Sequence, residues 1–144
     1  MKLGKTVEEL SIGEKSVFEK TISESDVYLF AGITGDMNPA HINEVYAAKT
    51  AFKGRIAHGM LVTGFISTVL AMQLPGPGAI YISQQVKFLA PVHIGDTVRA
   101  EVEVIDINAE KNRVTLRTCC YNQDDVQLIE GEALVSPAKK KHKS

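Results

Sequence analysis

The chain of 144 residues fits one domain, because a single hydrophobic core typically serves roughly 100–200 residues. Its 44% hydrophobic and 23% charged residues exclude a disordered chain or a collagen-like fibre, and no stretch approaches the ~18 uninterrupted apolar residues of a bilayer-spanning helix. The net charge is −1, but Lys139, Lys140, Lys141 and Lys143 crowd the end of the chain; without them 12 basic residues face 17 acidic ones, a poor surface for nucleic acid, whose nonspecific binding needs clustered cations.

In chain order, Val17 and Phe18 first give only a short apolar stretch. Ser23-Glu24-Ser25-Asp26 then reads as a helix start, with a hydroxyl able to cap and an acid in the first turn. Val27, Phe30 and Ala31 share one helical face, and the helix should end between Gly32 and Gly35, because Thr34-Gly35-Asp36-Met37-Asn38-Pro39 is dense in turn formers and opens a loop. A second short helix is predicted over 44–49. The segment 59–74 is apolar almost all round, through Met60, Leu61, Val62, Phe65, Ile66, Val69, Leu70 and Met72, which is the pattern of a buried helix. Pro75-Gly76-Pro77-Gly78 stops it.

Beyond residue 79 the period changes to two. Val98, Ala100, Val102 and Val104 alternate with Arg99, Glu101 and Glu103, the signature of a strand with one dry and one wet face. Val114, Leu116, Thr118 and Cys120 repeat the pattern, a hairpin over 108–112 joins the two, and 79–90 and 126–135 supply further strands. No repeat or linker divides the chain. The expected architecture is α+β, an antiparallel sheet wrapped around one buried helix over residues 1–136, with 137–144 as a basic, solvated, disordered tail. Open sheet edges invite pairing, so a homodimer is expected. Cys119 and Cys120 are adjacent on a strand and face opposite ways; without further ligands they make neither a zinc site nor a disulfide framework. Together with the lack of a secretory signal pattern in the first thirty residues, this points to a cytoplasmic protein with no membrane segment.

Two segments can carry chemistry. Asp36 and His41 lie five residues apart across an Asn38-Pro39 step. On a helix they would diverge by some 140°, but Pro39 biases Asn38 away from helix, and a loop can curl a carboxylate and an imidazole together as an acid/base pair. The same residues also describe a plain turn, in which Asp and Asn satisfy their own backbone. Arg55-Ile56-Ala57-His58-Gly59-Met60 leads into the apolar helix, whose free N–H groups and dipole favour an oxygen gaining negative charge, with no side chain on Gly59 to block approach. An equal alternative is that Gly59 only lets the chain turn into the helix, with His58 as a capping or partly buried residue.

Gly35-Asp36-Met37-Asn38-Pro39-Ala40-His41, followed by Ala57-His58-Gly59-Met60 at the start of an apolar helix, resembles the MaoC-like dehydratases, specifically the (R)-specific enoyl-CoA hydratases, which have the hot dog fold. Residues 81–92 and Ile94-Gly95-Asp96-Thr97 extend the likeness to about residues 10–136. The resemblance implies reversible hydration of a trans-2-enoyl-CoA to an (R)-3-hydroxyacyl-CoA. It puts the catalytic pair on Asp36 and His41, the backbone N–H that polarises the thioester on Gly59, the motif asparagine on Asn38, and a supporting serine on Ser67. It departs at Ala40, where the family usually has Leu, Ile or Val, and at Asn43, where an acid is common. Neither metal nor redox cofactor is expected, since the CoA belongs to the acyl-CoA substrate and no dinucleotide, phosphate-loop or metal-ligand motif is present. The same fold also hosts acyl-CoA thioesterases, and a noncatalytic acyl-CoA binding module is the reading from outside enzymology.

Overall fold

A computed structural model describes residues 2–140. Five strands form one antiparallel sheet in the order β1-β3-β4-β5-β2: β1 (Lys15–Thr21), β2 (Ile80–Phe88), β3 (Thr97–Asn108), β4 (Arg113–Tyr121) and β5 (Gln127–Ser136). Among the described residues four α-helices, all between β1 and β2, complete the fold: α1 (Glu24–Thr34), α2 (Pro39–Ile42), α3 (Glu44–Ala48) and α4 (Gly59–Met72). Among the described residues no helix is long and apolar enough to cross a membrane.

The period-two segments become the sheet's centre. Val98, Ala100, Val102 and Val104 of β3 and Val114, Leu116 and Cys120 of β4 are buried and share one core cluster with Val62, Phe65, Ile66, Val69 and Leu70 of α4. Fully burying each such aliphatic side chain is worth about 1.5–3 kcal/mol, which is what holds the helix against the dry face. This helix wrapped by a sheet is the hot dog fold. β2, which follows α4 in the chain, crosses to the far edge and pairs with β5. The two edges are therefore β1 and β2.

Local chemistry sets the helix ends. Ser23 and Asp26 form a reciprocal capping box at the start of α1, and Gly35, at φ +83°, ends it in the left-handed conformation that glycine adopts without strain. Asp36 thus leaves the helix at a fixed point.

Three expectations change. The stretch around Val17 and Phe18 is a full strand, β1; as an edge strand it has one largely solvated face, with Val17 exposed, so alternation is weak. The buried helix keeps an open side, where Met60 and Met72 are 60% and 59% exposed. The tail begins later than residue 137: Pro137 and Ala138 are buried, the Asn112 side chain donates to the Pro137 carbonyl, and only Lys139 and Lys140 are exposed. The rest of the tail, Lys141 to Ser144, lies outside the described residues.

Candidate active site

Asp36 sits in the loop after α1, where its carboxylate accepts weakly from the Asn38 N–H at 3.3 Å. Pro39 opens α2 as its first residue, and the Asn38 side chain caps that helix by accepting from the Ala40 N–H at 3.0 Å. This single turn swings His41 back toward the loop. One carboxylate oxygen of Asp36 and one nitrogen each of His41 and His58 lie within 4.8 Å of one another.

His41 is held by its other end. Its Nδ1 lies 2.7 Å from the Ile56 carbonyl, and a carbonyl only accepts, so Nδ1 carries the proton and Nε2 of the neutral ring offers a lone pair. Ile56 is itself fixed: its N–H donates to the Ala40 carbonyl, and the neighbouring Ala57 N–H donates to Val92. Arg55, one residue earlier, straps this segment to the helices through Glu24 of α1, Glu44 of α3 and the Tyr28 hydroxyl. The two carboxylates hold its guanidinium protonated even more firmly than usual.

Beside His41 opens an apolar cavity of about 460 Å³, lined among others by Phe52, Met60, Phe88, Leu89 and Gly59. Gly59 is the first residue of α4, and its N–H finds no backbone acceptor among the described residues, whereas the Leu61 and Val62 N–H groups return to the His58 carbonyl. An apolar chamber therefore has the His41 imidazole on its wall, with the Asp36 carboxylate beside that ring, and the Gly59 amide on the same wall. This arrangement suits an apolar carbonyl compound that gains negative charge on oxygen while a proton moves nearby.

The sequence profile of the MaoC like domain matches residues 8–122. The chain belongs to this family. Over 128 residues it is 59% identical to the (R)-specific enoyl-CoA hydratase of Rhodospirillum rubrum, covering 89% of this chain and 88% of that protein. It is 50% identical over 133 residues to the 3-hydroxybutyryl-CoA dehydratase of Methylorubrum extorquens, covering 92% and 84%. Among solved structures it superposes on the unliganded R-hydratase PhaJ1 of Pseudomonas aeruginosa with a TM-score of 0.91 at 42% identity, over 95% of this chain and 88% of that one.

In this MaoC-like chain the expected residues do not all meet. The Asp36 carboxylate meets His41 and His58, and of these expected residues His41 and Gly59 line the cavity. Asn38 stands apart in function, since its carboxamide oxygen is committed to capping α2. Ser67, half-buried two turns along α4, neither lines the cavity nor hydrogen-bonds Asp36 or His41. Ala40 replaces a bulkier side chain but still contributes its carbonyl to the Ile56 N–H, and Asn43 caps α3 by accepting from the Tyr46 N–H. His58 is the participant the motif did not single out. It occupies the N-cap position of α4 without capping it through its side chain. Its ring instead turns into the site, 2% exposed, and no local sequence signal separates that from an ordinary cap. A second cavity of about 500 Å³ on the outer sheet face, between Lys87, Arg117, Tyr121 and Glu130, is polar and contains no imidazole.

Proposed function

We propose that the protein catalyses the reversible hydration of a trans-2-enoyl-CoA to the (R)-3-hydroxyacyl-CoA, with Asp36 and His41 as its catalytic residues. The observation that carries this reading is an Asp36 carboxylate within 4.8 Å of a His41 nitrogen, with His41 itself lining an apolar cavity whose wall includes Gly59. The relatives' names, hydratase and dehydratase of acyl-CoA compounds, point the same way.

The steps follow from the groups. A water held between the Asp36 carboxylate and His41 Nε2 forms its O–C3 bond as its proton passes to the pair. The C2–C3 π electrons move toward the thioester, whose oxygen gains charge opposite the Gly59 N–H. The pair then returns a proton to C2, and the thioester carbonyl is restored. His41 can accept at Nε2 because Ile56 already holds its Nδ1–H. The apolar walls lower the local dielectric and so strengthen the Gly59 contact. The steps above call on no metal ion, so dialysis against a chelator should leave the rate unchanged.

The site works in a homodimer in an aqueous, reducing compartment such as the cytoplasm. Support for the dimer comes from the uncovered β2 edge beside the cavity, and for the compartment from two buried free cysteines. The test is loss of enoyl absorbance from crotonyl-CoA with chiral analysis of the product. Asp36→Ala and His41→Ala, each folded, should each lose on the order of 10²–10⁴ in kcat, the usual worth of a positioned proton transfer. Parental rates in both variants would remove the assignment. Thiol release without hydration would identify a thioesterase, and binding without either reaction a noncatalytic acyl-CoA module.

A further inference from the structure

The buried ring of His58 has no part in the steps above, yet two contacts tie it to the groups that do. Its Nε2 lies 3.0 Å from the backbone carbonyl of Asp36, and since a carbonyl only accepts, Nε2–H donates. Its face stacks on His41, with ring centroids 3.8 Å apart and planes 27° from parallel, while Phe30 of α1 closes the other side at 4.8 Å. The remaining nitrogen, Nδ1, is enclosed and has no hydrogen-bond partner among the described residues. Buried polar atoms without partners are uncommon, because each forfeits its hydration. A side chain chosen only for packing would have no polar atom there.

His58 is also the covalent neighbour of Gly59. One ring therefore joins the amide on the cavity wall to the main chain of the proton-transfer loop, and forms the floor on which the His41 imidazole lies. The geometry points to His58 as a positioning residue of the hydration reaction: it fixes the spacing between the Asp36–His41 pair and the Gly59 N–H, and the plane of the His41 ring. It touches no reacting atom. Its work is done on Asp36 through the backbone and on His41 through the stack, so its loss should appear in the chemical step rather than in binding. Misplacing reacting groups by about 1 Å can cost on the order of 10² in rate.

This inference rests on the hydratase reading, and the test separates the two. His58→Phe keeps a stacking ring and removes the donor. His58→Gln places an amide nitrogen near where Nε2 stood, whereas His58→Asn places one near Nδ1, out of reach of the Asp36 carbonyl. With crotonyl-CoA, His58→Phe should lower kcat by about 10²-fold with KM within a factor of two to three of the parent. His58→Gln should recover at least tenfold of that loss and His58→Asn should not. Parental kcat in His58→Phe, or equal rates in the Gln and Asn variants, overturns the assignment, and the Gln and Asn comparison decides the matter if the Phe variant fails to fold.

Imidazole ¹⁵N spectra of the parent give an answer that does not depend on activity: His58 should be protonated at Nε2 and His41 at Nδ1, and in His58→Gln the His41 signals should move while its tautomer stays. The opposite tautomer at His58 overturns the proposal even in an active enzyme. If the parent fails to hydrate any enoyl-CoA but shows these tautomers, the hydratase reading falls and the His58 contact stands.

Discussion

At the scale of single residues, two glycines show how differently the same missing side chain can matter. A Cβ on Gly59 would lie 2.5 Å from the nearest atom of the Phe88 ring, and a Cβ on Gly131 would lie 1.9 Å from the backbone carbonyl oxygen of Gln85. Phe88 is 54% exposed and can swing aside, whereas the Gln85 carbonyl belongs to the β2–β5 ladder and cannot. Gly59→Ala should therefore stay folded, with a melting free energy within about 1 kcal/mol of the parent, since alanine is the better helix former. Its hydration rate should nevertheless fall by about 10²-fold, because the displaced ring and the new methyl group both intrude on the thioester's place at the amide. Gly131→Ala should cost about 3 kcal/mol or more through overpacking and fail in denaturant melts before activity can be measured. The site's legibility divides in the same way. The placing of Asp36, His41 and Gly59 was readable because a Pro39-primed turn and the first residue of an apolar helix are local signals, while the roles proposed for them came from the resemblance to the MaoC-like dehydratases. His58 and Ser67 were not, since the one turns inward on a contact 22 residues away, and the other takes a helical position whose neighbours only packing decides.

At the scale of elements, α1 is fastened by charge at its start and carries the site at its end. Asp26 accepts from the Ser23 N–H at 2.9 Å and pairs with Lys20 of β1, so one carboxylate ties strand to helix. The Lys20 contact first, and then the Ser23 N–H, hold its pKa below the ordinary aspartate value. The folded state therefore prefers the ionised form. The stabilisation is complete above the ordinary value near 3.9 and is lost as the pH falls through the lower folded value. Asp26→Ala should destabilise the protein at neutral pH by about 1 kcal/mol, the typical worth of a cap contact. Thermal melts by circular dichroism from pH 7 down to pH 2 should show the gap between parent and variant closing below pH 4; a gap that is constant with pH would mean that charge plays no part. This cap was legible because a capping box is written within four residues. The strand β1 beside it was not: half of its pattern faces water, and the partner that makes it a strand, β3, lies some eighty residues away.

At the scale of the whole molecule, the two sheet edges are unlike. β1 carries Lys15, Glu19 and Lys20, charges that keep an edge from adding a foreign strand. β2 has a single charge, Lys87, and exposes Ile80, Tyr81, Ile82 and Phe88, next to the open side of α4 where Met60 protrudes. Phe88 and Met60 are at the same time walls of the cavity that holds His41 and Gly59. An apolar substrate chain in a cavity open on that side would meet water, and a second copy set against β2 would cover both the edge and the opening. The expected assembly is thus a dimer joined through β2, with light scattering at micromolar protein giving twice the chain mass. Ile82→Lys puts a charge at the irregular step between Tyr81 and Ser83, where the ladder to β5 is already interrupted and a folded chain can tolerate it. It should yield a monomer with parental circular dichroism and a raised KM for enoyl-CoA, because the open side of the cavity is left to solvent. A monomeric parent, or a fully active monomeric variant, would show that one chain closes its own cavity and that the apolar edge serves another purpose.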